Sequence, residues 1–134
     1  MLAARFASLF VILFIGHHLG DYWVQTDRQT ANKTSASWRG RLFCAQHVAT
    51  YTTTMLAVLL LATRPLELRL DGWQVALALT VVAGTHYLAD RRRPLRWLAV
   101  RAWHSTTWLD EGGLAFLDQS WHLIWVFVAA LIMI

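Results

Sequence analysis

Three long stretches of the chain are almost free of charge, and they decide what it can fold into. No Asp, Glu, Lys or Arg occurs between Leu42 and Ala62 or between Gly72 and Ala89, and from Leu114 to Ile134 there is only Asp118. Each stretch is close to the roughly 20 residues that cross a bilayer as a helix. A fourth, from about Leu2 to Gln25, is long enough to span although Arg5 interrupts its start and Asp21 its end. Of 134 residues, 57% are hydrophobic and 15% charged, against about 45–50% and 25% in soluble globular chains. Lipid is therefore the expected solvent. The expected fold is all-α: a four-transmembrane-helix bundle with spans at about 2–25, 42–62, 72–90 and 114–134, in one membrane domain covering residues 1–134. A cleaved leader is not expected, because Arg5 alone precedes the first apolar run and no small-residue cleavage site follows it.

Basic residues in short loops are retained on the cytoplasmic side of a membrane. Arg28, Lys33, Arg39 and Arg41 fall between the first two spans, and Arg91, Arg92, Arg93, Arg96 and Arg101 between the last two. Only Arg5, Arg64 and Arg69 remain for the opposite side. Both termini are thus expected outside, with the basic loops and most of the formal net charge of +4 on the cytoplasmic face. Ordinary topology signalling accounts for most of these arginines. In the third loop, Pro94 suits the first turn of a helix. Leu95, Leu98, Ala99, Ala102 and Trp103 recur at helical spacing, with Arg96 and Arg101 off the stripe. An amphipathic helix lying in the headgroup layer is expected there. Cys44, the lone cysteine, is expected to pack as a small apolar residue.

Each span also carries a polar pair: His17 and Asp21, His47 and Tyr51, His86 and Asp90, Asp118 and His122. A separation of four residues stacks both side chains on one helix face, a turn apart. With the basic loops inside, all four pairs fall at the cytoplasmic ends of their spans. Inward-facing stripes would gather four histidines and three aspartates in one layer. Buried carboxylates are costly in a membrane, about 2.5–3.5 kcal/mol each at the helix centre and less near the interface. A shared cation would satisfy them, and a mixed nitrogen and oxygen donor set suits zinc, manganese or iron. Seven donors exceed the needs of one tetrahedral ion, so two ions are favoured. The metal ligands expected are His17, Asp21, His47, His86, Asp90, Asp118 and His122. Mutual His–Asp hydrogen bonds without metal are the alternative. His18 points about 100° away from His17 and is the weaker candidate; His104 is expected at the surface of the third loop. Gln25 and Gln119 are placed behind the ligands as hydrogen-bonding support, and Asp27 and Lys33 at the mouth. Gly16 and Gly20, four apart, suit close helix approach.

HHLGDYWVQTD at 17 to 27 with the later Asn32-Lys33, His47 followed by Tyr51, HYLADR at 86 to 91 and DQSWH at 118 to 122 resemble the small bacterial and phage membrane proteins grouped as domain of unknown function 3307. The resemblance covers nearly the whole chain. Members usually show one histidine four residues before the first aspartate, which maps to His17 and leaves His18 as a departure. It implies a small multispan protein integral to the bacterial cytoplasmic membrane. A looser likeness runs to membrane metal-dependent hydrolases with His and Asp at inner-leaflet helix ends, by analogy only.

The expected function is metal-dependent hydrolysis of a phosphoester or lipid headgroup at the cytoplasmic leaflet. Asp21, His47, Asp90 and Asp118 would do the catalytic work through one or two divalent ions, with Tyr51 donating to developing charge. Lys33, Arg91 and Arg92 would draw in an anionic or phosphorylated substrate. A proton or metal transporter using the same cluster, or a noncatalytic membrane scaffold, are the other classes; the apolar outer halves of the spans speak against a path. Membrane lipid is the expected partner, a homo-oligomer is compatible with the sequence, and nucleic acid is not expected.

Overall fold

The computed structural model describes residues 1–103 and 106–134, all helix, turn or loop with no strand among them. In chain order the elements are α1 (Leu2–His18), continued without a break by a π-helical turn (Leu19–Val24), α2 (Asp27–Asn32), α3 (Trp38–Thr63), α4 (Gly72–Asp90), α5 (Arg93–Trp103), a second π-helical turn (Leu109–Gly113) and α6 (Leu114–Ile132). His104, expected at the surface, lies outside the described residues.

Local chemistry explains where the helices begin. Thr26 and Gln29 form a reciprocal capping box on α2: the Thr26 hydroxyl accepts from the Gln29 N–H and the Gln29 side chain from the Thr26 N–H. The Ser37 hydroxyl accepts from the Gly40 N–H at 3.1 Å and the Asp71 carboxylate from the Trp73 N–H at 2.8 Å, starting α3 and α4. The Ser37 cap places Arg39 and Arg41 in the first turn of α3, whereas they were expected in a loop with the helix beginning at Leu42. Arginines are tolerated there because long side chains reach back to the headgroups.

Among the described residues, three helical segments are long and apolar enough to cross a membrane: Leu2–Val24, Trp38–Thr63 and Leu109–Ile132. The expectation of four spans is corrected to these three. α4 has the predicted bounds, but Gln74 and His86 lower the hydropathy of a segment only 19 residues long. Absence of charge is a weaker condition than an apolar surface. The outward faces of the three segments carry exposed Val11, Leu60, Leu61, Phe116, Ile124 and Phe127, consistent with insertion into lipid.

The four long helices pack as neighbours in the cyclic order α1, α3, α4, α6 and back to α1. Leu9, Leu13, Met55, Leu59, Val82, Val126 and Ala129 fill the space between them. At the far end the Arg5 guanidinium donates to the carbonyls of Arg69 and Met133 at 2.9 and 3.0 Å, tying α1 to the α3–α4 loop and the end of α6. α5 buries Leu95 and Ala99 and leaves Trp97, Leu98 and Arg101 exposed, in keeping with the amphipathic pattern.

Gly16 and Gly20 bring α1 against α3. A Cβ on Gly20 would stand 2.7 Å from Tyr51 Cδ2 and 3.2 Å from Tyr51 Cα. Tyr51 is fully buried and cannot yield. Gly20→Ala is therefore expected to destabilise the fold by about 1–3 kcal/mol through overpacking. Gly84, with nothing within 4 Å of its added Cβ, should accept alanine with no loss, since helix propensity favours alanine by about 0.5–1 kcal/mol. Denaturant unfolding in detergent micelles, comparing the two variants, checks the contrast.

Candidate metal centre

At one end of the helix ring the apolar packing gives way to a layer of histidines and aspartates. His17, His47, His86, Asp90 and His122 are buried, and the Asp21 and Asp118 side chains are 8% and 18% exposed. All seven predicted ligands therefore lie in one polar layer beneath the α2 segment. The π-helical turn widens the backbone at Leu19–Val24, so Asp21 does not sit simply above His17. Its Oδ2 lies 3.7 Å from His17 Nδ1, while Oδ1 reaches across to α3 and α4. Such π turns recur at functional sites.

The centre of the layer is a crowd of electronegative atoms. His47 Nε2 lies 3.0 Å from His86 Nε2, 3.1 Å from Asp21 Oδ1 and 3.3 Å from Asp90 Oδ2. His86 Nε2 lies 3.3 Å from each of the same two oxygens. These contacts form two triangles sharing the His–His edge, one closed by Asp21 and one by Asp90. Each ring nitrogen carries at most one hydrogen, so hydrogen bonds alone cannot satisfy three polar neighbours around each. Edges of this length match a face of a coordination tetrahedron whose bonds are roughly 2.0 Å, the zinc–nitrogen and zinc–oxygen distance.

A second grouping lies beside the first. Asp90, Asp118 and His122 can each offer one atom within 4.8 Å of the others, as can His17, Asp21 and His86. His122 Nδ1 donates to the Asp118 carbonyl at 2.6 Å, which fixes the tautomer and leaves Nε2 as a lone-pair donor. That Nε2 is buried without a partner, as are His17 Nε2, Asp90 Oδ2 and Asp118 Oδ1. Unpartnered buried acceptors call for a ligand or water. The Nδ1 atoms of His47 and His86 also find no protein partner.

A cleft of about 380 Å³ opens onto this layer, lined by Asp21, Gln25, Asp27, Lys33, Asp118 and Gln119 among others. Gln25, Gln119, Asp27 and Lys33 thus stand where the sequence placed them, around the mouth. Lys33 does more than line it: Nζ donates to Asp90 Oδ1 at 2.8 Å, with a weaker contact to Gln25 Oε1 at 3.5 Å. That pairing turns Asp90 Oδ2 toward the two histidines.

Three expected roles change. Arg91, expected to bind substrate, donates from its guanidinium to the main-chain carbonyls of Lys33 and Ser35 and so fastens the α2–α3 connection to the end of α4. Arg92 is exposed, has a left-handed φ of 55° in the turn between α4 and α5, and is not among the residues lining the cleft. Tyr51, expected to act on substrate, is fully buried with Oη 3.1 Å from His17 Nδ1, which makes it a positioning group for that ring. His18 stays apart: its Nδ1 donates to the Phe14 carbonyl at 3.1 Å and its ring packs on Phe14. Sequence reasoning missed the Lys33–Asp90 pair and α2. The helix had a readable signal in Thr26 and Gln29, a threonine with glutamine three residues on.

A family model described as "Protein of unknown function (DUF3307)" matches residues 9–134. No curated protein and no solved structure matches the chain.

Proposed function

The chain belongs to the DUF3307 family, and from that premise we propose that it is a membrane hydrolase whose His/Asp layer holds one or two divalent metal ions. The observation that carries the reading is the packing of His47 Nε2, His86 Nε2, Asp21 Oδ1 and Asp90 Oδ2 at 3.0–3.3 Å, with too few hydrogens to join them. Asp90, Asp118 and His122 offer the second position, and His17 the remaining donor. Zinc, manganese and iron all suit this donor set.

The orientation follows from the arginines: the cleft faces the cytoplasm, α4 enters the bilayer between α3 and α6, and both termini lie outside. A phosphoester or lipid headgroup at the inner leaflet reaches the cleft from the headgroup layer. Lys33, at the mouth, supplies the nearest positive charge for such an anion, and Asp27 and Gln119 flank the entry. Bound ions would activate a water and clamp the oxygens of the scissile group. The water oxygen forms a new bond to phosphorus as the ester P–O bond breaks, and the departing alcohol takes up the proton. The apolar packing of Leu9, Leu13, Met55 and Leu59 beyond the layer makes a pocket closed at its far end, which favours chemistry over passage.

Purified protein, equilibrated with zinc or manganese and then desalted, is expected to retain about one to two equivalents of metal by elemental analysis. It should also cleave a phosphoester headgroup presented in vesicles. Absence of stoichiometric metal ends the proposal.

A further inference from the structure

The outward face of the α4–α5 corner holds a second, separate feature. Three arginines meet there: Arg41 from the first turn of α3, Arg91 from the end of α4 and Arg93 from the start of α5, around a pocket of about 420 Å³. Arg91 is committed to the Lys33 and Ser35 carbonyls and acts as a fixed positive charge. Arg41 and Arg93 are exposed, and among the described residues no carboxylate pairs with either, although Arg96 nearby pairs with Asp110 at 2.7 Å.

Leu88 and Pro94 close this pocket on one side and also line the adjoining groove of about 190 Å³. The groove runs between α4, α5 and α6 past Leu95, Leu98 and Trp121, with Trp97 exposed beside it. Its walls are apolar. Trp121 is held as a wall by its indole N–H, which donates to the Thr85 carbonyl at 3.1 Å. A basic mouth in the headgroup layer leading into an apolar trough has the two-part chemistry of an acidic lipid, phosphate at one end and hydrocarbon at the other. Basic pockets between helices on the cytoplasmic side bind such headgroups. A soluble anion would leave the trough unused, and a neutral lipid would leave the arginines uncompensated.

We propose that this corner is a binding site for an anionic phospholipid, with its phosphate between Arg41 and Arg93 and an acyl chain along Leu88, Leu95, Leu98 and Trp121. The site stands apart from the His/Asp layer, since α4 turns Leu88 outward and His86 and Asp90 inward. It would anchor α5 in the leaflet whatever reaction the cleft performs.

Native mass spectrometry of the detergent-solubilised protein, titrated with phosphatidylglycerol and with phosphatidylcholine of the same acyl chains, tests it. Phosphatidylglycerol adducts should persist where phosphatidylcholine adducts are lost, and inorganic phosphate should not displace them. Arg41→Gln with Arg93→Gln should lower phosphatidylglycerol retention roughly 10- to 30-fold, near the value of two interfacial basic residues. Arg41→Lys with Arg93→Lys should keep most of it, and metal content should be unchanged in both. Equal retention of the two lipids, displacement by inorganic phosphate, or full retention in the glutamine variant would each overturn the assignment.

Discussion

Replacing His86 by alanine is expected to cut metal affinity by about 100-fold or more, since loss of a hydrogen-bonding support alone commonly costs 10- to 100-fold and a direct ligand costs at least as much. No other ring is so central. Its Nε2 is within 3.3 Å of Asp21, Asp90 and His47. The ring also stacks at 3.9 Å on Tyr51 and 4.2 Å on His122. His86 belongs to two of the three groupings able to hold an ion. Its removal therefore disturbs both positions, while His18→Ala, one residue from His17 but bonded to Phe14, should leave metal content intact.

The same variant separates a metal centre from a network of hydrogen bonds. With metal bound, a chelator should lower the stability of the parent protein and leave His86→Ala unaffected, because a ligand that binds only the folded state stabilises it by mass action. A metal-free network predicts the reverse pattern. The parent would ignore the chelator, and His86→Ala would still lose about 3–5 kcal/mol through the buried carboxylates left unpaired. Elemental analysis together with unfolding in the presence and absence of chelator distinguishes the two.

The gathering of the seven ligands was legible because a helix repeats every 3.6 residues: pairs four apart had to share a face, and their common depth put the faces at one end. The bounds of α4, the amphipathic stripe of α5 and the close approach at Gly16 and Gly20 followed from equally local rules. What could not be read depended on backbone geometry or on contacts between distant segments. The π turn at Leu19–Val24 has no side-chain signature, yet it decides that Asp21 faces His47 and His86. Lys33 and Asp90 are 57 positions apart, and Lys33 looked like a loop cation until α2 carried it over the cleft. Arg91 read as a substrate clamp because charge alone does not reveal that main-chain carbonyls already occupy its fork. The fourth span was overcounted for a related reason: Gly72–Asp90 lacks charge in its interior, but its polar residues are part of the site and lower the hydropathy that defines a span.

Lys33→Met should destabilise the metal-free protein by about 3–5 kcal/mol, the usual loss when one member of a buried ion pair is removed. The Lys33 side chain is 13% exposed and Asp90 3%, so water cannot replace the missing ammonium at Oδ1. The double variant Lys33→Met with Asp90→Asn should recover much of that loss, because the charge that lacked a partner has also gone; a double-mutant cycle in detergent, read by denaturant unfolding, gives the coupling. Metal adds a further constraint. A cation held by Asp90 Oδ2 would neutralise part of the same carboxylate, so the cost of Lys33→Met should be smaller in metal-loaded protein than in chelated protein. By linkage, the variant should then bind metal more tightly unless Asp90 swings away from His47 and His86, in which case affinity falls and the role of Lys33 is to aim the oxygen. Both outcomes tie Lys33 to the centre through Asp90. A loss below about 1 kcal/mol in chelated protein, the scale of a solvent-exposed pair, together with unchanged metal affinity, would leave Lys33 as a surface cation with no part in the site.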